Sequence, residues 1–249
     1  MRSSSNHVSR LDRISTDWAI IRDPPQFVLR YSGAIYNYLA ALTKSQQEAE
    51  EVAQDFYVRV LRYGFARANR ERGRFRDYLK AAVRNAARDH WQKKRAPQQG
   101  LADLLGVPAP ETGFDADEQW VSSWRRCLLK RVWRALELHQ KRSPGNLFYT
   151  VLRMVVAHQG EDSEKLAART GRLIGRPIQP AAFRKQVSRA RRMFAQLVLR
   201  EVQQTLDAPS IQQVEEELVE IGLMKHVRDF LPADWRKKHA SIEVEPQES

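Results

Sequence analysis

The sequence lacks the residue patterns that build a disulfide framework, a cysteine metal site or a hydrolytic active site. Cys127 is its only cysteine, which excludes an intrachain disulfide and a cysteine-cluster metal site. The six histidines are scattered without a metal-ligand spacing, and there is no phosphate-binding glycine loop or nucleophile elbow. We therefore predict no catalytic residues, no metal ligands and no cofactor.

Long hydrophobic runs are also missing. No apolar run approaches the roughly 18–20 residues that cross a bilayer. The first residues, MRSSSNHVSRLDR, carry charge with no apolar segment behind them, unlike a secretory signal. We expect a cytoplasmic protein without membrane insertion.

Acidic residues are outnumbered, since 42 Lys and Arg oppose 30 Asp and Glu and leave a formal net charge of +12. A surplus of this size favours a polyanionic partner, most often nucleic acid, with an anionic membrane as the lesser alternative. The 249 residues have room for one large domain or two small ones.

The most basic stretch is RGRFRDYLKAAVRNAARDHWQKKR, residues 72–95. If it is helical, residues four apart make one cationic stripe, consisting of Arg76, Lys80, Arg84 and Arg88. A second stripe about 100° away is mostly apolar and consists of Phe75, Leu79, Val83, Ala86 and His90. This pattern predicts a helix with one edge in a core and the other facing an anion, although a charge run alone can be a solvated face. We expect the nearby tryptophans 91, 120 and 124 to be core residues rather than base-stacking ones.

Hydrophobic periodicity elsewhere predicts an all-α fold with two small helical domains joined by a flexible linker. The predicted parts are a tail at 1–25, a first domain at 26–96, a linker at 97–119, a second domain at 120–206 and a C-terminal extension and tail at 207–249. Consecutive prolines are expected to stop any helix before residue 26. In the helix that follows Ser45, a predicted N-cap, the inward residues are Ala49, Val52, Phe56, Val60 and Tyr63, and the outward face is acidic.

The second domain contains a helix–turn–helix pattern. Ser163 is a predicted cap of one helix, and the glycine-bearing turn GRPIQP ends with Pro180 at the first position of the next. That next helix has a predicted buried stripe of Phe183, Val187, Ala190, Phe194 and Leu197, with basic and hydroxyl residues near its start. Many αα-hairpins share this layout, so the pattern alone leaves DNA binding open.

Taken together, these motifs resemble bacterial sigma factors of the extracytoplasmic-function (ECF) type. EAEEVAQDFYVRVLRY (Glu48–Tyr63) is similar to the family's AED-x-x-Q-x-x-F helix, and residues 75–95 are similar to its F-x-x-W-L-x-x-I-A-x-N-x-x-x-D-x-x-R helix. EKLAARTG and GRPIQPAAFRKQVSRARRMFAQLV resemble the region-four helix-turn-helix, and RGRFRDYLK with EEELVEIGL resembles planctomycete sigma-like proteins. The sequence departs from the family at Glu51, at Tyr78 and in a longer helix-turn-helix, where Arg169–Gly175 is an insertion or an extended first helix.

The resemblance implies binding without catalysis, with core RNA polymerase and promoter DNA as partners. It leaves open an anti-sigma partner. The implied polymerase-binding residues are Glu48, Glu51, Gln54 and Asp55. The implied contacts to the minus-ten element are Asn69, Arg70, Arg76, Lys80, Arg84, Asn85 and Arg88. The implied recognition-helix contacts to the minus-thirty-five element are Arg184, Lys185, Ser188, Arg189 and Arg192.

Alternative interpretations remain at this stage. The acidic helix can be a solvated face, and Arg76 and Lys80 can form internal ion pairs with Asp77 or with that helix. The main rival function is a freestanding helix-turn-helix transcriptional regulator that binds DNA without polymerase. An enzyme acting on nucleic acid is a weaker rival, because the chain has no carboxylate pair or metal cluster for such chemistry.

Overall fold

The computed structural model of the protein describes residues 23–65, 74–95, 114–143, 145–206, 209–233 and 235–236, and every regular element in these ranges is helical. The all-α prediction is therefore confirmed. The helices are α1 (Pro24–Thr43), α2 (Gln46–Tyr63), α3 (Phe75–Arg95), α4 (Phe114–Arg142), α5 (Phe148–Ala157), α6 (Ser163–Ile174), α7 (Pro180–Gln203), α8 (Ile211–Glu220) and α9 (Met224–Val227), followed by a 3₁₀ turn at Arg228–Phe230. No helix in the described ranges is long and apolar enough to span a membrane.

Helix α1 begins at the two prolines instead of after them. The side chain of Asp23 caps the helix by accepting a hydrogen bond from the backbone N–H of Gln26 at 3.1 Å. Proline is tolerated in the first helical turn because its missing N–H would have no intrahelical partner there. The helix therefore begins two residues before Gln26, the first residue of the predicted domain. The expected end of a preceding helix lies outside the described residues.

Helix α2 follows the predicted amphipathic pattern. Ser45 is its N-cap, and the Ser45 hydroxyl accepts from the backbone N–H of Glu48 at 3.3 Å. The four predicted inward residues Ala49, Val52, Phe56 and Val60 are buried. Tyr63, the fifth, is 72% exposed, because it is the last helical residue before Gly64 turns the chain away with φ +58°.

Aromatic side chains fill the core of the first compact unit. The predicted inner edge of α3 is confirmed by the burial of Phe75, Leu79, Val83 and Ala86. From α4, Trp120 and Trp124 are each 1% exposed. The Trp124 ring stacks on Tyr31 with centroids 4.9 Å apart, and Trp120 lies 5.2 Å from the ring of Tyr38. These two tryptophans are core residues, as predicted, and Trp91 is half-buried.

The same aromatic contacts move the boundary of the first unit. Helix α4 begins at Phe114, within the predicted linker, and the first unit includes its residues up to Cys127 together with residues 204–206. The physical reason is that two large indoles bury themselves against α1 and α3, which ties the start of α4 to the helices before it. Cys127 is half-buried.

The second compact unit contains α5–α9 and the remainder of α4. Its central core is a set of buried apolar residues, Leu136, Val151, Leu152, Leu166, Ala167, Phe183, Val187 and Ala190. Phe194 and Leu197, predicted as buried, pack against this core while partly exposed. The extension helix α8 starts with a reciprocal capping box between Ser210 and Gln213, and its residues Val214 and Leu218 are buried in the same unit.

Candidate nucleic-acid interface

The predicted cationic stripe of α3 is not uniformly exposed. Arg76 is only 2% exposed, so its predicted position on a DNA-facing surface is wrong. Arg76 precedes Leu79 by three residues and Val83 by seven, which places it on the same face of the helix as these two core residues. Residues 76 and 80 are both in the predicted helix, but the buried face of that helix includes Arg76.

Lys80 and Arg84 converge on one carboxylate, that of Asp117 in the first turn of α4. The Lys80 Nζ lies 2.9 Å from Oδ2 and the Arg84 Nη2 lies 3.1 Å from Oδ1. Arg84 also donates to the hydroxyl of Tyr38 from Nε at 3.2 Å and from Nη2 at 3.0 Å. Burial raises the pKa of the Tyr38 hydroxyl, against the opposing effect of Arg84, so this phenol stays a neutral acceptor. Sequence reasoning allowed an internal ion pair for Lys80 but did not identify Asp117 as the partner.

The outer part of the stripe is open. Arg88 and Asn85 are exposed, and within the described residues Arg88 has no ion pair. Lys93 is also exposed near the end of the helix. The predicted single-strand contacts Asn69 and Arg70 lie outside the described residues.

The acidic face of α2 lies beside the second half of α3. Of the four residues implied as polymerase-binding, Glu51, Gln54 and Asp55 are solvent-accessible. Glu48 is only 23% exposed and pairs with Lys94. The hydrogen bond from Lys94 is the main reason that the pKa of Glu48 lies below its usual range.

Two further contacts join these helices along their length. Glu51 Oε2 lies 3.8 Å from His90 Nε2, and the Arg59 guanidinium lies 3.3 Å from the Asp89 carboxylate. A groove of about 230 Å³ runs between the helices and is lined by both charged and apolar side chains, among them Val52, Asp55, Val58, Arg59, Ala86, Asp89, His90 and Lys93. The ion pairs between the two helices thus run in both directions, from Lys94 of α3 to Glu48 of α2 and from Arg59 of α2 to Asp89 of α3.

Sequence reasoning missed an apolar part of the outer face of α2. Val58 is 40% exposed and Leu61 is 49% exposed. They follow Gln54 by four and seven residues, so all three lie on one side of the helix. Their spacing from Gln54 is the sequence feature that indicates this exposed apolar area. Apolar side chains next to accessible acids are suited to a protein partner.

In the second unit, α6 and α7 form the predicted helix–turn–helix. Asp162, rather than Ser163, is the N-cap of α6, since its carboxylate accepts from the backbone N–H groups of Glu164 and Lys165 at 3.0 and 2.8 Å. α6 continues without interruption to Ile174, so the longer motif is an extended first helix and not an insertion. α7 starts at Pro180, as predicted.

Two glycines set the turn between these helices. Gly175 ends α6 with φ +73°, a left-handed conformation that costs other residues free energy. Gly171 faces the returning chain, and a Cβ at this position would lie 2.9 Å from the main-chain oxygen of Arg176. The absence of a side chain at Gly171 therefore lets the turn pack directly on α6.

The predicted recognition surface of α7 is exposed. It comprises the side chains of Arg184, Lys185, Ser188, Arg189 and Arg192. Arg184 donates from Nη1 to the hydroxyl of Ser163 at 2.9 Å, which links the starts of α7 and α6. The guanidinium of Arg191 lies over the Phe230 ring at 5.4 Å and joins α7 to the C-terminal extension. The sequence placed these cations on one helix, and the fold keeps them solvent-accessible because the opposite face holds the core.

Comparison with known proteins finds a similarity in the first three helices. Residues 27–96 match the family model described as sigma-70 region 2. The match covers α1, α2 and α3, the helices that carry both the acidic face and the basic stripe. No curated protein and no solved structure matches the chain.

Proposed function

We propose that the protein is a sigma factor of the ECF type, planctomycete-like, with region four in its second unit. The match of residues 27–96 to the sigma-70 region 2 model supports this proposal, because it indicates a role in RNA polymerase binding and promoter melting. The protein would bind core RNA polymerase and direct it to specific promoters in the cytoplasm. The observation that carries the proposal is the region 2 match followed along the chain by a compact helix–turn–helix unit.

The polymerase-binding surface in this proposal is the outer face of α2. Glu51, Gln54 and Asp55 offer accessible acceptors to a basic partner, and Val58 with Leu61 adds apolar area beside them. A combination of apolar anchors and a polar rim is typical of protein–protein interfaces. A freestanding regulator of transcription has no need of such a surface, which disfavours that alternative.

The promoter-binding surfaces lie on α3 and α7. Arg88 and Asn85 are accessible to the backbone and the base edges of the opening minus-ten element. Arg84 lies one turn and Lys80 two turns before Arg88 on the same helix. On α7 the exposed arginines can pair with guanine edges of the minus-thirty-five element, each such bidentate contact contributing about 1–3 kcal/mol of discrimination. The proposed chemistry is binding and duplex opening, without catalysis.

The polymerase surface can be tested by pull-down of core RNA polymerase with the full chain. The double variant Glu51→Ala/Gln54→Ala should retain much less polymerase than the wild type. The matched control is Gln46→Ala/Glu50→Ala, which removes one exposed amide and one exposed acid from the same helix. Equal retention by both double variants would contradict the assigned surface.

Promoter recognition requires a second experiment, reconstituted transcription on genomic fragments with core polymerase. The proposal expects transcripts that start at defined positions only when this protein is added. DNA binding without polymerase binding would favour the freestanding regulator. Polymerase binding without promoter-dependent transcripts would point to an inhibitor of initiation.

A further inference from the structure

Three cations of the predicted DNA-binding stripe on α3 are buried or already in ion pairs, and two of these three pair with the same residue, Asp117. Arg76 is buried. Lys80 and Arg84 are each held by Asp117, and their side chains are 23% and 34% exposed. Arg88 is thus the stripe residue that remains open to solvent.

The contact with Asp117 has the geometry of a phosphate contact. One carboxylate presents one oxygen to an ammonium at 2.9 Å and its other oxygen to a guanidinium at 3.1 Å. A DNA phosphate offers the same donors two anionic oxygens and would make hydrogen bonds of the same charge-assisted kind. A phosphate that takes the Lys80 and Arg84 N–H groups now bonded to Asp117 must displace the Asp117 carboxylate.

Asp117 is held in place by the packing of its helix. The residue before it, Ala116, is 3% exposed, and Trp120 on the next turn is 1% exposed in the core of the first unit. Ser123 accepts a hydrogen bond from the side-chain amide of Asn37 at 3.2 Å. The backbone that carries the Asp117 carboxylate is thus fixed beside Lys80 and Arg84 by the packing of α4.

We propose that Asp117 is an internal competitor for DNA, whose carboxylate keeps Lys80 and Arg84 occupied until a phosphate displaces it. The proposal rests on the proposed function, because it needs α3 to bind DNA, and it adds a threshold to that function. Weak contacts with DNA of any sequence leave the two cations paired with Asp117. Promoter contacts made elsewhere by the protein supply the free energy that opens this pair.

The direct test compares the affinities of Asp117→Asn and wild-type full chains for DNA. The probe is a short fluorescein-labelled duplex of mixed sequence, and binding is followed by fluorescence anisotropy. Asp117→Asn should bind about 3–10-fold more tightly at low salt, the range expected for losing one or two partly exposed ion pairs. The gain should shrink as salt is added, because salt screens the internal pair in the wild type.

The matched control is Glu118→Gln, which makes the same change in net charge at the next position of α4. Glu118 is exposed and has no ion pair within the described residues. The Glu118→Gln variant reports the effect of removing one negative charge that is not in an ion pair. Equal affinities for Asp117→Asn and Glu118→Gln would overturn the proposal.

Two further measurements make the test specific. In a Lys80→Ala/Arg84→Ala background, Asp117→Asn should give no gain over Glu118→Gln, and a gain that persists would overturn the inference. In the wild type, the carboxyl ¹³C resonance of Asp117 should stay in place when the mixed-sequence duplex is added and should move when a promoter fragment found by reconstituted transcription is added. This second measurement does not depend on the folding of any variant, and an unmoved resonance in the promoter-bound protein would contradict displacement.

The sigma-factor proposal and the proposal about Asp117 are rejected by different results. Absence of polymerase binding by the wild type would reject the sigma-factor proposal while leaving the competition between Asp117 and DNA measurable. Normal polymerase binding with no difference between the two variants would reject the competitor alone. Failure of the wild type and both variants to bind DNA would reject the DNA-binding role of α3 and the inference with it.

Discussion

Replacement of Trp124 by alanine tests whether the start of α4 is an integral part of the first compact unit. Trp124 is 1% exposed, and its indole lies parallel to the Tyr31 ring with a 6° angle between the planes. The Phe75 ring also lies 6.4 Å from the Trp124 ring. Removal of the indole would leave a cavity bounded by α1 and α3, although the family match ends before α4 begins.

The expected loss is large relative to the total free energy of unfolding of a small domain. Substitutions of a buried tryptophan by alanine cost about 3–5 kcal/mol, which includes lost transfer free energy and the remaining cavity. Stacked aromatic pairs contribute about 0.5–1.5 kcal/mol beyond the area they bury. Small domains have about 5–15 kcal/mol in total, so the first unit of Trp124→Ala should be near its limit of stability.

Hydrogen exchange resolved by residue is the suitable assay, because the chain has two units and one denaturation curve would mix them. Trp124→Ala should reduce the protection of α1 and α3 amides and leave α6 and α7 unchanged. The control is Trp133→Ala, since Trp133 packs on Phe194 in the second unit with ring centroids 5.1 Å apart. That variant should reverse the pattern of loss. A loss of protection below about 1 kcal/mol in α3 for Trp124→Ala would refute the assignment of the start of α4 to the core of the first compact unit.

Three other predictions concern particular contacts. Burial raises the pKa of Tyr57 to about 12, so the folded state keeps the phenolic proton to a higher pH than the unfolded state does. The free energy of unfolding should therefore fall by about 2–3 kcal/mol as pH rises from about 10 to about 12. Urea denaturation in this range should show a smaller loss for Tyr57→Phe. Gly171→Ala should destabilise the helix–turn–helix by about 1–3 kcal/mol, because the new Cβ meets main chain. By contrast, Gly33→Ala should be neutral or stabilising, since nothing lies within 4 Å of its Cβ position; thermal unfolding of the two variants compares the signs. Lys94 lowers the pKa of Glu48, so the stabilisation by this pair is present above the unfolded-state pKa and is lost as pH falls through the folded-state pKa; Glu48→Gln should show a flatter acid limb, and an unchanged limb would reject the contact.

The apolar spacing of α2 and α3 predicted which residues enter the core because a helix fixes the direction of every side chain relative to its neighbours. Phe56, Leu79 and Val83 are buried as this rule requires. The rule is weakest where two stripes adjoin. Arg76 was assigned to the cationic stripe, yet it shares a face with core residues, and its long aliphatic stem allows an arginine to pack at such a position.

The candidate site depends on contacts between residues distant in sequence. Asp117 lies 33 residues after Arg84, within the segment 97–119 that was predicted to be a linker. No local pattern predicts that its carboxylate meets Lys80 and Arg84, because the meeting depends on how the indoles of α4 pack. The apolar positions Val58 and Leu61 were in principle readable from their spacing relative to Gln54.

Most of the helices, their inner faces, the glycine-bearing turn between α6 and α7 and the surplus of positive charge could be predicted from the sequence. Each of these follows from local rules: periodicity, capping, glycine and proline conformations, and composition. The accessibility of the cations could not be predicted in this way. Arg76 is withdrawn into the core, Lys80 and Arg84 are held by Asp117, and Arg88 remains exposed. The reason is that a charge becomes available to a ligand only after the packing of other helices has determined its burial and its ion-pair partners.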